Sequence, residues 1–218
     1  MRLWDWLFPR ACQVCGASGG PVCGACEASL EWIRGPGCLQ CGAPGRAIRG
    51  CKDCVGKPMR FDGAVALGVY SGGMRELILA LKHRENRDLA GYFAGRLAIQ
   101  VRESADIVTC VPMSRLDFTL KGYNHAAALA EDVARIRGLA FDEHLLRKIR
   151  RTQKQKALQL PERLLNPQGA FEASERARGK RVLVVDDVLT TGATLSACAL
   201  PLRNAGARAV RVAVVARG

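Results

Sequence analysis

Two groups of residues in this chain have the types and spacing to do chemistry. The first is the run Val182-Leu183-Val184-Val185-Asp186-Asp187-Val188-Leu189-Thr190-Thr191-Gly192-Ala193-Thr194. An unbroken apolar strand is expected over Val182 to Val185, with two carboxylates at its end and a Thr/Gly loop opening a helix. The hydroxyls and backbone N–H groups of Thr190, Thr191, Gly192, Ala193 and Thr194, backed by a helix N-terminus, make a cradle for a phosphate-like anion. Gly192 lets the backbone come close because no Cβ stands in the way. Asp186 and Asp187 would repel a phosphate and therefore suit another part of a ligand. Vicinal ribose hydroxyls donate hydrogen bonds and match them, and a divalent ion would relieve the repulsion.

The second group is eight cysteines in four consecutive Cys-x-x-Cys knuckles: Cys12 and Cys15, Cys23 and Cys26, Cys38 and Cys41, Cys51 and Cys54. The tight turn between such thiolates points both sulfurs at one ion, and Gly16 and Gly42 suit a chain that reverses around it. Zinc is the expected metal, one or two ions, with an iron–sulfur cluster as the runner-up and a redox dithiol behind both. Spacing alone does not say which knuckles pair. With cysteine at every position no site is left open for a substrate, so this module is structural or adhesive, and metal binding supplies its folding free energy. The other two cysteines, Cys110 and Cys198, sit among apolar neighbours and read as buried small hydrophobes.

The elements that must position these groups alternate between extended and helical patterns. Strands are expected over Ala64 to Tyr70, Ile107 to Val111, Val182 to Val185 and Val210 to Val215. Helices are expected over Gly72 to Lys82, Asp88 to Glu103, from the Asn124 cap to Arg137, and after the Thr/Gly loop to about Asn204. This is an α/β protein with a mostly parallel sheet flanked by helices, in which ligands bind beyond the carboxyl ends of strands. Two units are expected: 1–58, the cysteine-rich module, and 59–218, the sheet domain.

The chain has 218 residues, a formal net charge of +13 and 49% hydrophobic residues, enough for one full core. No window approaches the roughly 18 apolar residues of a membrane helix. The apolar N-terminus, Met1 to Pro9, is interrupted by Asp5 and too short for a signal peptide, so a cytoplasmic protein is expected. The charge favours polyanionic partners. It concentrates in Arg147, Lys148, Arg150, Arg151, Lys154 and Lys156, with no acid among them. That stretch can close over a diphosphate, track a single-stranded DNA backbone or form a solvated basic face. His83 and His144, beside charged residues, read as surface groups.

The Val182–Thr194 run resembles the phosphoribosyl diphosphate signature of type I phosphoribosyltransferases. The resemblance assigns Asp186 and Asp187 to the ribose hydroxyls and Thr190 to Thr194 to the 5-phosphate. It places Met113, Ser114 and Arg115 on the loop that holds the diphosphate, with Arg115 beside the leaving group. Further runs are similar to the ComF family: Tyr70-Ser71-Gly72-Gly73-Met74-Arg75-Glu76-Leu77-Ile78-Leu79-Ala80-Leu81-Lys82, Val111-Pro112-Met113, Lys121-Gly122-Tyr123-Asn124-His125 and Arg151-Thr152-Gln153-Lys154-Gln155. The four knuckles match that family's double zinc ribbon. Lys121 and His125 replace the family's usual Arg and Gln, and Cys110 replaces a Pro. The resemblance implies a type I phosphoribosyltransferase fold, phosphoribosyl diphosphate bound with magnesium, and a part in DNA uptake during natural transformation beside other competence proteins. Two readings stay open. One is a phosphoribosyltransferase with Asp186, Asp187 and Arg115 at the reaction. The other is a binding module that holds single-stranded DNA without turnover.

Overall fold

The computed structural model describes residues 11–35, 37–45, 48–57, 59–82, 86–150 and 167–218. Arg151, Lys154 and Lys156 lie outside the described residues, as does the side chain of Arg115. The elements are α1 (Gly24–Ser29), β1 (Gly63–Val69), α2 (Gly72–Lys82), α3 (Arg87–Gln100), β2 (Ile107–Cys110), α4 (Arg115–Lys121), α5 (His125–Arg137), β3 (Ala140–Phe141), β4 (Leu146–Lys148), β5 (Phe171–Ala173), β6 (Arg181–Leu189), α6 (Ala193–Asn204) and β7 (Ala209–Arg217).

Five strands pair in the order β1-β7-β6-β2-β3, every pair parallel. Both faces of such a sheet are covered, which is why β6 opens as a continuous apolar run. Leu183 and Val185 face the layer of α2, α3 and α5, against Leu77, Leu81, Phe93 and Leu129. Val182 and Val184 face the other way, toward α6 and the separate β4–β5 hairpin, against Leu195, Leu202 and Phe171. Strand alternation thus sends Asp187 to the first layer and Asp186 to the second.

Two boundaries lie three residues or more from expectation. β6 runs on to Leu189 because β7 continues to pair with it, through Leu189 against Arg217, so the carboxylates sit inside a paired strand and not beyond its end. α3 stops at Gln100, short of Glu103, where Arg137 Nη1 donates to the Ala98 carbonyl at 3.2 Å and Nη2 to that of Glu103 at 3.2 Å. A guanidinium from a neighbouring helix there satisfies carbonyls the helix leaves open.

The cysteine-rich segment is sewn to the sheet. Ile33 N donates to Leu67 O at 2.8 Å and Val69 N to Glu31 O at 2.9 Å, with Trp32 bridged antiparallel to Gly68. Val22 and Leu30 join one core layer and Ile33 the other. Arg96 of α3 lies 3.8 Å from the Tyr92 ring centroid and 5.3 Å from that of Trp32, and pairs with Glu27 of α1. The change near residue 58 is therefore one of structure type, with apolar contact continuous across it.

The seam tolerates no side chain at Gly68, where a Cβ would stand 2.6 Å from Met74 Cε and 2.8 Å from Glu31 O. Gly68→Ala should lower stability by about 1–3 kcal/mol, the usual cost of overpacking. Denaturant unfolding of the metal-loaded protein checks this, and an unchanged midpoint would mean the seam carries no stability.

Candidate functional site

The site begins with Asp187, 5% exposed on β6. Its Oδ1 accepts from Val188 N at 2.9 Å, and its Oδ2 forms an ion pair with Lys82. His125 Nε2 stands 3.6 Å from the same oxygen, an electrostatic contact longer than a hydrogen bond. Lys82 is the last residue of α2 and His125 the first of α5, so two helix ends converge on one carboxylate.

Local sequence explains why they converge. Asn124 caps α5, accepting from Ala126 N at 3.1 Å, and its amide donates to Val111 O at 3.3 Å, tying α5 to the loop after β2. Tyr123 OH donates to the carbonyl of Leu81, locking the same turn onto the end of α2. His125 itself is 8% exposed and packs edge-on to Tyr123 with ring centroids 6.5 Å apart.

The electrostatics separate the two carboxylates. Burial pushes Asp187 upward, but His125 and Lys82 outweigh it and hold the group well below the usual carboxylate range. Burial first, and then the charge on Asp187, push Asp186 well above it. The same pairing raises Lys82 against the downward pull of its own burial. At neutral pH the site therefore holds one carboxylate anion, one ammonium and one carboxyl inclined to stay protonated. That nearly neutral pair costs an approaching phosphate far less than two bare aspartates would.

The strand then turns into the loop. Gly192 sits at φ +80 as the residue before α6, and Ala193 N donates to Thr191 Oγ1 at 3.3 Å. No side chain caps α6. A pocket of 40 Å³ lined by Val188 to Leu195 lies at the start of the helix. That exceeds the roughly 10–15 Å³ one water needs. A Cβ at Gly192 would lie 3.2 Å from Met59 Cε, and L side chains rarely adopt this φ, so glycine is required twice over.

The loop after β2 is built differently from expectation. The Ser114 hydroxyl caps α4: it accepts from Asp117 N at 3.1 Å and donates to Asp117 Oδ2 at 2.5 Å. Arg115 opens α4, and only its backbone is described. Met113 and Ser114 line a cleft of 1280 Å³ whose lining also includes Arg147, Lys148, Arg150 and Arg176. Of the basic stretch, Arg147 and Lys148 form β4, paired antiparallel with β5, and Arg150 donates to Gln168 O at 2.7 Å. Lys148 is half-buried 6.0 Å from the Phe171 ring centroid, and that burial lowers its pKa. His144 is exposed.

The eight knuckle cysteines gather as two tetrads, Cys12, Cys15, Cys23 and Cys26, then Cys38, Cys41, Cys51 and Cys54, each with its sulfurs within 4.8 Å of one another. Knuckles therefore pair with their neighbours in sequence. Sulfur–sulfur distances of 3.6 Å for Cys15–Cys23, 3.5 Å for Cys41–Cys51 and 3.8 Å for Cys38–Cys54 fit a tetrahedral edge. That edge is about 3.8 Å for a zinc–sulfur bond of about 2.3 Å. Burial pushes Cys12 and Cys38 upward, yet backbone N–H groups aimed at their sulfurs bring both to about 6. Hydrogen bonds to sulfur favour the thiolate a metal needs. Cys110 and Cys198 are buried in the core, as expected.

Lys82 was not singled out from the sequence for a role. Next to the Leu77, Ile78 and Leu81 stripe it reads as a cation suited to a helix C-terminus. His125 was noted as a ring in place of an amide, with no contact to Asp187 foreseen. Neither carries a local signal, because both act across the fold.

The charge separation has a stability consequence. Asp187, held low, contributes above its unfolded pKa near 4, and that contribution is lost as pH falls below it. Asp187→Asn should cost about 2–3 kcal/mol at pH 7, less than a fully buried pair because Lys82 keeps some solvent contact. Asp186, held high, favours folding at low pH and loses that advantage as pH rises. Asp186→Asn should match wild type near pH 5 and become the more stable of the two toward pH 9. Thermal melting from about pH 3 to about pH 9 reads both signs, and parallel curves for the two variants would refute the separation.

Residues 3–55 match the double zinc ribbon domain family, and residues 123–218 match the phosphoribosyl transferase domain family. The first span holds both tetrads; the second holds His125, the aspartates and the Thr/Gly loop. The DNA utilization protein YhgH of Salmonella typhi is 28% identical over 170 residues, covering 74% of this chain and 75% of that protein. Competence protein F of Haemophilus influenzae is 24% identical over 208 residues, covering 90% and 85%. A solved structure of glutamine phosphoribosylpyrophosphate amidotransferase from B. subtilis is 26% identical, with a TM-score of 0.41, over 57% of this chain and 25% of that one. A double zinc ribbon followed by a phosphoribosyltransferase domain, in a chain similar to proteins of these names, is the composition that the ComF resemblance implies.

Proposed function

We propose that the site on β6 and its loop binds the ribose 5-phosphate end of phosphoribosyl diphosphate, and that the protein serves DNA uptake or utilisation, as its relatives' names indicate. The observation that carries the ligand reading is the pairing of the Thr190 to Thr194 loop at the start of α6 with two aspartates, of which Asp187 is neutralised by Lys82. The 5-phosphate would take the loop's N–H and hydroxyl groups. Asp186, inclined to keep its proton, and Asp187, an acceptor, would divide the ribose hydroxyls between them. Magnesium prefers oxygen ligands, and its charge would favour an ionised Asp186, which would meet it in place of a proton while Lys82 and His125 hold Asp187. When bound, the ion would screen the diphosphate charge. Transfer would break the bond from ribose C1 to diphosphate and form one to a nucleophile, with Arg115 and the backbone of Met113 and Ser114 meeting the leaving group. We place the protein in the cytoplasm, where reduced thiols stay free to hold zinc.

A second reading rests on the wall of the 1280 Å³ cleft. Arg147, Arg150 and Arg176 line it together with Leu116 and the half-exposed Phe118, a set that suits the phosphates and bases of a single strand. Among the described residues no helix is long and apolar enough to cross a membrane.

Calorimetric titration with phosphoribosyl diphosphate and magnesium tests the first reading. Saturable binding is expected from wild type and none from Asp186→Ala/Asp187→Ala. Its absence from a folded wild type would end that reading. For the second, joint replacement of Arg147, Arg150 and Arg176 by Gln should flatten the salt dependence of single-strand affinity by roughly 0.7 log units per lost contact. Equal slopes would remove these arginines from any nucleic-acid path.

A further inference from the structure

One cavity belongs to neither reading above. It measures 360 Å³ and is lined by one face of α6, from Ala193 to Asn204, together with Phe171 of β5 and Arg60. Its walls are mostly apolar. The volume is at the lower end of the range for small-molecule cavities, about 300–1,000 Å³, which suits a ligand of nucleoside size. Thr191 and Ala193 line both this cavity and the 40 Å³ pocket at the start of α6, so the two spaces share a wall.

The polar groups at this cavity follow from an irregularity in α6. Pro201 stands inside the helix and lines the cavity. Proline has no N–H, so the carbonyl of Ala197, four residues back, lacks the helical donor it would otherwise have. Ala197 lines the same cavity and is half-buried. An acceptor left open beside Phe171, Leu200 and Pro201 matches a flat apolar ligand that carries an N–H edge. Asn204 and Arg60 are exposed at the cavity, and among the described residues neither side chain has a hydrogen-bond or ion-pair partner. The backbone fixes Arg60 in place: its N donates to Ser196 Oγ at 3.3 Å, and its carbonyl accepts from Arg203 Nε at 2.7 Å. A carboxamide pairs with the amino edge of adenine, and a guanidinium suits a phosphate.

We propose that the cavity between α6 and Phe171 is a second ligand site, for an adenine nucleoside monophosphate. The base lies against Phe171, Leu200 and Pro201, its exocyclic amine donates to the Ala197 carbonyl, and a ring nitrogen accepts from the Asn204 amide. The phosphate extends to Arg60. Hypoxanthine carries a carbonyl where adenine has its amine, so it would set two acceptors face to face at Ala197. The occupied site touches the phosphate loop from the other side of Thr191 and Ala193. Nothing in this assignment rests on the ribose-phosphate reading.

Calorimetric titration of the zinc-loaded full chain with adenosine tests it, since adenosine has no phosphate for the Thr/Gly loop to take. Saturable one-to-one binding is expected, with inosine roughly tenfold weaker, the factor for one unmet acceptor. Ala197→Phe fills the cavity and should abolish binding. Leu200→Glu puts a charge on the apolar wall at a residue 45% exposed, and should weaken adenosine roughly tenfold. Should Ala197→Phe fail to fold, Leu200→Glu decides the matter alone. Asp186→Ala/Asp187→Ala should bind adenosine as wild type does; loss there would put the nucleoside in the ribose pocket and overturn the assignment. In that double variant adenosine monophosphate should bind more tightly than adenosine, and adding Arg60→Gln should remove the difference. No saturable binding by folded wild type, equal affinity for inosine, or undiminished binding in the wall variants would each overturn the site. None of these outcomes touches the titration with phosphoribosyl diphosphate, so the two ideas fail separately.

Discussion

A carboxylate in the middle of a covered parallel sheet stays ionised only if a cation meets it, and Asp187 meets Lys82. The rest of the site depends on this contact. It requires α2 to end where β6 passes, and it requires α5 to begin at the same depth so that His125 closes the other side. The Asn124 cap and the Tyr123 bond to Leu81 are the devices that bring those helix ends together. Burial and the charge on Asp187 leave Asp186 as the carboxyl inclined to stay protonated. A donor and an acceptor then stand beside an anion cradle in place of two repelling charges.

The cradle is a consequence of where β6 stops. Pairing with β7 persists to Leu189, after which three residues carry the chain into α6. Gly192 permits the turn and, having no side chain, offers α6 no cap of its own. Around this point the second core layer, with Leu195 and Leu202, anchors α6 to the sheet. The loop is therefore rigid at both ends and open only toward its ligand.

The cysteine tetrads enlarge that framework. Neither has enough apolar content to fold alone, yet the segment that carries them supplies Val22, Leu30 and Ile33 to the two main core layers. Its backbone also extends the sheet beyond β1 through Ile33 and Val69. Metal binding there is coupled to the packing of the larger unit. The basic wall of the wide cleft lies elsewhere, on β4 and its neighbours.

Local pattern carried much of this protein. The α/β alternation, the strand and Thr/Gly loop around Asp186 and Asp187, the Asn124 cap and the four metal-binding knuckles are all legible in the sequence. Each is written within a dozen or so neighbouring residues, where periodicity, capping and ligand spacing operate. Tertiary structure decided what depends on residues far apart in the chain. It paired each knuckle with its sequence neighbour, prolonged β6 to Leu189 through its partner strand, and spent the Ser114 hydroxyl on a helix cap. It also brought Lys82, His125 and Asp187 to one point. Charge type and spacing mark such residues as cations or rings, but which buried group each one faces is settled only when helices and strands pack.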